Sequence, residues 1–404
     1  MFKAVAGYYK DNERLRLLVK IIAVWLISRA VMLLMVPVMN LIADEPHQWL
    51  YYMNPWDAEW YKGIVENGYQ PPKSSGMASW AFFPLYPLVC MAVRLVTMGS
   101  IDTYAVGMTV SNICIIIAVY YAVKYADIEL DMKKYNKKTV EDIIIFLMLA
   151  GPFAVYYGAM YTEALFILCV ILCFYNSARH NYMAAGIAAA MASATRIVGC
   201  MLVFVLITYM FMETCAECRA KHNSEMKDNK EAGIIDKCML TEEAGILIAG
   251  NISLASVIRT FIKNVIKEQK KLVAIMISPL GIFIYMNYLR YFCGDSWAFY
   301  HVQRAWRTQK MFPVIGVLFK SCTGQLSAAS GVKTLNGIIL GWLCVITLML
   351  YAAMIRKKHY ALGIFGIIVL LIPLTSSVMS TLRFIMGSFV IYIGVAVTGM
   401  YGME

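Results

Sequence analysis

Long apolar segments recur along the whole chain, separated by shorter polar stretches. A helix needs about 17–25 mostly apolar residues to cross a bilayer, and most of the segments approach that length. The candidate spans are residues 19–42, 104–125, 142–158, 161–178, 182–195, 197–212, 272–292, 336–355, 361–378 and 382–401. This pattern predicts an all-α polytopic membrane protein with about ten transmembrane helices. The pair between 182 and 212 leaves two alternatives, two short broken helices or one long span.

A further apolar stretch, residues 80–97, is interrupted by Pro84 and Pro87 and contains Arg94. If it crossed the membrane, the lysine-rich cluster at 133–138 would lie on the side opposite to the basic N-terminus, against the positive-inside rule. If it is an outer re-entrant or interfacial helix, the cluster and the N-terminus lie on the same, cytoplasmic side. We expect the second arrangement.

This topology gives a single membrane domain, residues 1–404, with three main loops. Residues 43–103 and 293–335 form the two predicted extracytoplasmic loops, and the basic residues 213–271 form a cytoplasmic loop. Any chemistry of the polar loops 43–103 and 293–335 would then take place on the extracytoplasmic or lumenal side of a bacterial plasma membrane or an endoplasmic reticulum.

The composition agrees with a membrane location. The chain is 60% hydrophobic and 15% charged, whereas soluble domains are about 45–50% apolar and about 25% charged. Mean hydropathy is +0.64. The net charge of +11 is better explained by cytoplasmic loops than by nucleic-acid binding. Most of the 11 cysteines lie in apolar segments, where cysteine behaves as a small hydrophobic residue, and no secreted disulfide framework is indicated.

The basic loop contains an amphipathic stretch. Its apolar face consists of Leu254, Val257, Ile258, Phe261 and Val265, and its basic face of Arg259, Lys263 and Lys267. This arrangement predicts an interfacial helix on the anionic inner leaflet. The alternative is a solvated linker helix.

The same loop holds a group of potential zinc ligands: Cys215, Cys218, His222 and Cys238. A Cys-x-x-Cys pair with a further His and Cys is one pattern of zinc sites. The spacing is irregular and the first pair adjoins the end of a span, so we expect these residues to be incidental.

The richest chemistry lies in residues 55–87, PWDAEWYKGIVENGYQPPKSSGMASWAFFPLYP. Asp57, Glu59 and Glu66 are crowded there by tryptophan, tyrosine and phenylalanine, between two long apolar segments. Aromatic side chains with a polar end settle at the lipid–water boundary. The stretch therefore suggests a polar reaction site at the membrane edge.

Asp57 stands at the start of a predicted helix, residues 57–67. The apolar face of that helix consists of Trp60, Tyr61, Ile64 and Val65. A carboxylate at the start of an apolar face is partly desolvated and suits a general base. The alternative is that Asp57 only caps the helix, its carboxylate accepting hydrogen bonds from the first turn.

A shared metal between Asp57 and Glu59 is a further alternative, since they form a D-x-E motif. On a helix the two side chains point about 200° apart, at about 100° per residue. A divalent metal there would need non-helical backbone, so we predict no metal site and no certain cofactor.

Ionisable residues inside apolar segments are expensive and usually functional. The candidates are Arg29, Glu163, Arg196 and Arg383, and Arg304 lies in the second outer loop. Arginines facing a carboxylate suit a phosphate-bearing lipid, because guanidinium grips phosphate bidentately. The alternative is arginine that snorkels to headgroups or serves only packing.

Several common catalytic motifs are missing from the sequence. It contains no Gly-rich phosphate loop, no H-E-x-x-H and no nucleophile elbow. Soluble nucleotide donors, zinc hydrolysis and serine acyl transfer are therefore unsupported.

The chain resembles the PIG-V-type mannosyltransferases, within the GT-C class of integral-membrane glycosyltransferases. The segments that carry the resemblance are WDAEWYKGIVENGY at 56–69, AFFPLYPL at 81–88, YTEALF at 161–166, ATRIVG at 194–199, GDSWAFYHVQRAW at 294–306 and the late Arg383-Phe384. The tryptophan–aspartate segment followed by FFPLYP is the most specific of them.

The resemblance implies a GT-C-like helical bundle. It also implies transfer of a sugar, usually mannose, from a polyprenyl- or dolichyl-phosphate donor to a glycan or glycolipid acceptor, with inversion. By position, Asp57 would be the general base, Arg196 and Arg383 would hold the donor phosphate, and Glu163 would line the site. Arg304 and Glu59 are further candidate substrate-binding residues.

Two other functions stay open from the sequence. A transporter or flippase of lipid-linked sugars should show discontinuous helices in matching halves and polar groups near the middle of the membrane. No internal repeat is apparent. A non-catalytic subunit of a membrane glycosylation complex would keep the fold and lose the activity.

Overall fold

The computed structural model describes residues 12–43, 47–74, 76–132, 134–231, 253–305, 314–325, 334–375, 378 and 381–399. Over these residues it consists of α-helices, short 3-10 helices and connecting turns, and it contains no β-strand. The predicted all-helical class is confirmed.

The helices of the first half are α1 (Glu13–Ile42), α2 (Trp49–Met53), α3 (Ala58–Asn67), α4 (Leu85–Val96), α5 (Thr103–Glu129), α6 (Lys137–Leu149), α7 (Ala154–Gly158), α8 (Glu163–Ala178), α9 (Tyr182–Ser193) and α10 (Leu202–Glu231). Those of the second half are α11 (Leu254–Lys267), α12 (Gln269–Ile277), α13 (Leu280–Cys293), α14 (Ala298–His301), α15 (Val314–Cys322), α16 (Thr334–Arg356), α17 (Tyr360–Leu374), α18 (Thr381–Gly387) and α19 (Val390–Gly399). Short 3-10 helices cover Ser79–Ala81, Ile197–Met201 and Val302–Ala305.

The count of ten spans is not confirmed. Among the described residues, four helices are long and apolar enough to cross a membrane: Glu13–Ile42, Thr103–Glu129, Ile197–Ser224 and Leu335–Arg356. Two bent pairs raise the number to six: α12 with α13, bent by 42°, and α18 with the helix after it, bent by 73°. Hydropathy does not register backbone breaks, and such breaks interrupt some of the predicted segments. The predicted span 142–158, for example, is divided between α6 and α7 at Gly151 and Pro152.

The segment between 182 and 212 is two elements rather than one. Helix α9 ends at Ser193, Arg196 has extended backbone with φ of −154°, and a 3-10 turn then leads into α10. The break of the first alternative is present, but only α9 is short, because the segment after the break is the candidate span Ile197–Ser224. Helix α10 continues to Glu231 and so extends into the predicted cytoplasmic loop.

The proline-rich stretch after residue 80 forms the short helix α4, which begins directly after Pro84. At about 1.5 Å per residue its length is about 18 Å, well below the roughly 30 Å of a hydrocarbon core. Its first amide, Leu85 N–H, donates to Ala194 O at 3.0 Å. Near its other end, Arg94 donates to Thr103 Oγ1 at 2.8 Å. Helix α4 therefore connects the break after α9 with the start of α5.

An aromatic cluster in the core joins α5 and α8 to Phe389, the residue just before α19. The ring centroid of Phe174 lies 5.7 Å from that of Tyr125 and 5.1 Å from that of Phe389, both in edge-to-face geometry. Such pairs add stabilisation beyond simple burial. Helix α8 is buried along most of its length, and this packing fixes the depth of its first residue, Glu163.

The two ends of α5 lie in different surroundings. At its C-terminal end Asp127 lies 3.6 Å from Lys137, which also pairs with Glu13 at the start of α1. At its N-terminal end Thr103 donates to Glu66 at 2.7 Å. The first residues of α1 and α6 thus share one end of the bundle, and the stretch from α3 to α4 lies at the other.

The amphipathic helix of the basic loop is present as α11. Val257 and Val265 are buried, and Phe261 packs edge-on against Phe211 of α10 with centroids 5.6 Å apart. Ile258, from the same predicted apolar face, stays exposed. An interfacial role for the exposed side of α11 remains a prediction.

The predicted incidental cysteines lie on α10. Cys215, Cys218 and His222 are in that helix, and Cys238 lies outside the described residues. Over the part of the chain that the structure describes, no group of three or more His, Cys, Asp or Glu side chains is placed to hold a metal ion.

Candidate functional site

Four charged side chains from distant parts of the chain meet in one cluster. Glu163 Oε1 accepts hydrogen bonds from Arg196 Nη1 and from Arg383 Nε, both at 2.7 Å. Arg383 Nη1 also donates to Asp57 Oδ2 at 2.7 Å. Asp57, Glu163, Arg196 and Arg383 are the four strongest site candidates of the sequence, and the structure brings all four together.

Asp57 occupies the N-cap position of α3, but its side chain makes no capping hydrogen bond. Its carboxylate is turned to Arg383 instead. The interpretation of Asp57 as a mere cap, with its carboxylate on the first-turn amides, is therefore wrong. The predicted burial of the α3 face holds for Tyr61, Ile64 and Val65, while Trp60 is half-buried.

The backbone around Asp57 is held by Tyr161. The Tyr161 hydroxyl donates to Pro55 O at 2.5 Å and accepts from the Asp57 N–H at 3.1 Å. Between those two contacts, Trp56 has φ of +49°, a left-handed conformation that costs an L-residue about 1–2 kcal/mol. Strain of this kind persists only where its surroundings determine it, and it clusters at functional sites.

Glu163 is the most buried member of the cluster, with 1% of its side chain exposed. It opens α8, where a carboxylate interacts favourably with the helix N-terminus. Its second oxygen, Oε2, accepts from Thr162 Oγ1 at 3.4 Å. A buried charge needs this degree of pairing, since an unpaired one is strongly destabilising. Glu163 therefore fixes both guanidinium groups in the site.

Arg196 reaches Glu163 because the chain is not helical at that point. The break after α9 turns its side chain between two rings: its guanidinium carbon lies 5.8 Å from the centroid of Phe166 and 5.3 Å from that of Phe384. Both contacts are of cation–π type. The hydrogen bond from Leu85 to Ala194 holds this break against the FFPLYP segment.

Arg383 lies in the short helix α18, just before the 73° bend. Its guanidinium carbon lies 5.7 Å from the centroid of Tyr156 and 5.3 Å from that of Tyr161. The planar fork of arginine suits two acceptors at once, and here it connects Asp57 with Glu163.

The FFPLYP segment supports the helix that carries Asp57. Phe82 stacks on Trp60 at 5.6 Å and lies edge-on to Tyr61 at 5.1 Å. The buried Tyr86 donates to Gly107 O at 2.8 Å and is edge-on to Tyr61 at 5.5 Å. The two most specific sequence segments are thus one packed unit.

The predicted second outer loop packs on the first, and none of its described residues joins the charged cluster. Phe299 lies edge-on to Phe83 at 5.4 Å. Asp295 pairs with His301 at 2.7 Å, and the hydrogen bond from His301 lowers the pKa of Asp295. Arg304 is exposed, and no described contact joins it to Asp57 or Glu163.

Two further candidates also lie away from the cluster. Glu59 is exposed on the face of α3 opposite to its buried residues. Arg29 donates instead to Asn112 Oδ1 at 2.8 Å and to Ala154 O at 3.0 Å, a packing role. Because Asp57 is engaged by Arg383 while Glu59 faces outward, the D-x-E pair does not form a metal site in this arrangement.

Glu66, the third carboxylate of the first loop, serves local structure. Lys62 and Thr103 both donate to it at 2.7 Å. Partial burial opposes ionisation, but these hydrogen bonds outweigh it and lower the pKa of Glu66. Glu66 therefore joins α3 to α5.

The sequence did not single out the aromatic residues that surround Arg383. Tyr161 precedes Thr162 and Glu163 in YTEALF, and Tyr156 lies in the preceding turn. The chain has many aromatic residues, so the presence of Tyr156 and Tyr161 did not indicate a role in the site. The nearness of Tyr161 to an intramembrane carboxylate was the one available indication.

Comparison with known proteins identifies a family. A family model described as Mannosyltransferase (PIG-V) matches residues 15–232, a range that includes Asp57, Glu163 and Arg196. No curated protein matches the chain. No solved structure matches it either, so the GT-C-like arrangement of the bundle stays a prediction.

Proposed function

This chain belongs to the PIG-V mannosyltransferase family, and from that premise we propose that it moves mannose from a polyprenyl- or dolichyl-phosphate donor to a hydroxyl of a glycan or glycolipid. We place the reaction on the extracytoplasmic side, with inversion at the anomeric carbon. The observation that carries the proposal is the contact of Arg383 with both Asp57 and Glu163. It joins a candidate base to a candidate phosphate site.

The two arginines supply the phosphate site. A sugar phosphate leaves with negative charge on its oxygens, and preorganised guanidinium groups in a dry site stabilise that charge. Glu163 holds Arg196 and Arg383 on one carboxylate oxygen, so both are directed to the same place. Phosphate oxygens can replace Asp57 as the second partner of Arg383 without breaking its bond to Glu163.

Asp57 supplies the base. Its carboxylate takes the proton of the acceptor hydroxyl while the hydroxyl oxygen forms a bond to the anomeric carbon of the donor sugar. The bond between that carbon and the phosphate oxygen breaks, and its electron pair leaves with the lipid phosphate. One displacement on the face opposite to the leaving group inverts the anomeric centre.

Arg383 couples the two steps. Its Nη1 lies 2.7 Å from Asp57 Oδ2, so it occupies the carboxylate oxygen that would take the proton of an acceptor hydroxyl. A donor phosphate that draws Arg383 to itself frees this oxygen for the acceptor. Donor binding thereby opens the base to the acceptor hydroxyl.

Two contacts support the assignment of sides. Lys137 pairs with Glu13 at the end of the bundle where α1 begins, and Glu66 with Thr103 joins α3 to the other end. If the basic N-terminus is cytoplasmic, Asp57 faces the extracytoplasmic side. Helix α4, too short to cross, agrees with this topology.

The rival transporter function has some basis in the two bent helix pairs, since broken helices mark many transport sites. In this chain the break near Arg383 directs that residue to a carboxylate in the first loop rather than to a matching half. A catalytically inactive subunit is disfavoured by the fully paired cluster of four candidate residues.

The direct test is transfer by purified protein in nanodiscs. Polyprenyl-phosphate-mannose should yield mannosylated product with a panel of glycoside acceptors, or slow release of mannose without one, whereas a soluble nucleotide-linked mannose should yield neither. NMR of the product should show the inverted anomer. Protein-dependent movement of intact donor across the bilayer, with no cleavage, would favour the transporter instead.

A further inference from the structure

Three aromatic rings beside the charged cluster form one continuous stack. Tyr156 lies between Phe153, with centroids 5.1 Å apart, and Trp56, with centroids 6.4 Å apart. Both interplanar angles are 25°, so the rings are nearly parallel. Stacking of this kind is favourable at centroid separations of about 4.5–7 Å.

The stack runs from the core to the surface and ends at Trp56. Phe153 is buried, Tyr156 is half-buried, and Trp56 is 74% exposed. Trp56 therefore presents a large free indole surface next to the charged cluster. Its orientation is also imposed, because Tyr161 holds the chain on either side of the left-handed Trp56.

Trp56 lies on the side of the cluster from which the acceptor would approach. Side-chain exposure rises along the cluster, from 1% at Glu163 to 23% at Arg383 and 31% at Asp57. The phosphate-binding end is therefore the buried end, and the base is the more open one. Trp56 directly precedes Asp57 and lies on that open side, where an acceptor would approach.

We propose that Trp56 is the stacking platform for the sugar ring of the acceptor, the ring whose hydroxyl gives its proton to Asp57. One face of a pyranose presents C–H groups and is apolar, while its hydroxyls point outward around the rim. Placed on the free indole surface, that face adds a fourth layer to the stack, and the rim hydroxyls are left beside Asp57. This inference rests on the proposed function.

The competing occupant is lipid. Tryptophan is common in the aromatic belts of membrane proteins, and an acyl or polyprenyl chain would cover the same indole. A belt residue needs no fixed backbone, however, whereas Trp56 is held in a left-handed conformation by two hydrogen bonds of Tyr161. Its covered face lies on Tyr156, which in turn lies over Arg383 at 5.7 Å. The platform is thus oriented toward the site.

The first test observes Trp56 without turnover. The chain has eight tryptophans, and incorporation of 5-fluorotryptophan gives each of them a ¹⁹F NMR signal. The signal of Trp56 is the one that disappears in the variant Trp56→Phe. In nanodiscs, methyl α-mannoside should shift the Trp56 signal saturably, with a Kd of about a millimolar. The control is Trp297, also exposed, which lies against Phe299 in a tilted arrangement instead.

Each other outcome of this titration overturns the platform. If the mannoside leaves the Trp56 signal unmoved, Trp56 does not bind the sugar. If it shifts the Trp297 signal equally, the binding is non-specific. A shift produced by octanol and not by the mannoside would assign Trp56 to lipid. The result is independent of catalysis: an active transferase with an unmoved Trp56 signal removes only this inference. A saturable shift in a protein that never cleaves the donor removes only the proposed function.

The second test uses transfer kinetics. Trp56→Leu keeps apolar bulk but loses the ring, and should raise the acceptor KM about 5–10-fold while the donor KM stays unchanged. Trp56→Phe should stay within about threefold of wild type. Leucine and phenylalanine are strained by the left-handed backbone as tryptophan is, so a difference between the two variants reflects the side chain. A rise confined to the donor KM, or equal effects of the two variants, would contradict the proposal.

Discussion

Arg383 Nη1 lies 2.7 Å from Asp57 Oδ2, although 326 positions separate the two residues in the chain. The contact joins the last broken helix to the first loop. Because the same guanidinium also bonds the buried Glu163, one arginine fixes the candidate base and the candidate phosphate site relative to each other.

Arg383 should be needed for use of the donor. In Arg383→Ala, kcat/KM for the lipid-phosphate donor should fall about 10²-fold or more, the usual effect of removing one preorganised charge-stabilising group. Arg383→Lys should recover little, since an ammonium cannot span two acceptors as a fork does. Steady-state kinetics at varied donor concentration provides the measurement.

The matched control is Arg304→Ala, because Arg304 is exposed and no described contact places it in the cluster. It should leave donor kinetics within about twofold of wild type. Similar losses in both variants would show that arginine acts through general surface charge, and an unaffected Arg383→Ala would remove Arg383 from the site.

Glu163 should matter for stability as well as for activity. Glu163→Gln leaves two guanidinium groups without their shared buried anion, and loss of one partner from a buried pair costs about 3–5 kcal/mol. Thermal unfolding in detergent should show a clear fall in Tm. Glu59→Gln, on an exposed carboxylate, should change stability by no more than about 0.5 kcal/mol. Equal melting of the two variants would refute the structural role of Glu163.

Tyr161 should position Asp57 rather than bind substrate. Tyr161→Phe keeps the ring but releases Pro55 O and the Asp57 N–H, so kcat should fall about tenfold or more while the donor KM stays constant. The control is Tyr125→Phe, which removes a buried hydroxyl bonded to Tyr209 at 2.8 Å away from the charged cluster. A loss of stability with unchanged kcat would mean that the Tyr161 contacts serve folding alone.

Gly199 should tolerate no side chain. A Cβ there would lie 2.2 Å from the backbone carbon of Ala192, so the turn that carries Arg196 would have to move away from α9. Gly199→Ala should lower the free energy of unfolding by about 1–3 kcal/mol. It should also reduce kcat/KM for the donor, because Arg196 moves with the turn. Gly63→Ala, where a Cβ meets nothing within 4 Å, should be neutral or slightly stabilising. The reverse order of Tm values would contradict the packing.

The candidate cluster was predictable because charges inside apolar segments are few. Glu163, Arg196 and Arg383 stood out individually on that ground, and Asp57 stood out by its place at the start of an apolar helix face in the aromatic-rich first loop. Which of them pair was not predictable, since that depends on contacts across hundreds of residues. Arg29 was a candidate on the same ground, because it also lies in an apolar segment. In the structure it bonds Asn112 and a main-chain carbonyl instead.

The number of spans was less predictable than the class. Side-chain hydropathy describes what a segment can bury, whereas the breaks at Gly151, Arg196 and near Arg383 are backbone features set by packing. Helix α4 was the exception, because Pro84 and Pro87 signal its start and its short length directly. The strained Trp56 left no trace in the sequence, because its conformation depends on the hydrogen bonds of Tyr161 to the residues on either side, Pro55 and Asp57.

The most direct measurement is donor-dependent mannose transfer by Asp57→Asn, compared with wild type and with donor binding measured in the same preparation. Asparagine keeps the size of the side chain and an oxygen that can accept from Arg383, but it cannot act as the base. Asp57→Asn should lose transfer about 10²-fold or more while folding and donor binding are retained. Transfer at near wild-type rate by Asp57→Asn would contradict the role of Asp57 as the base.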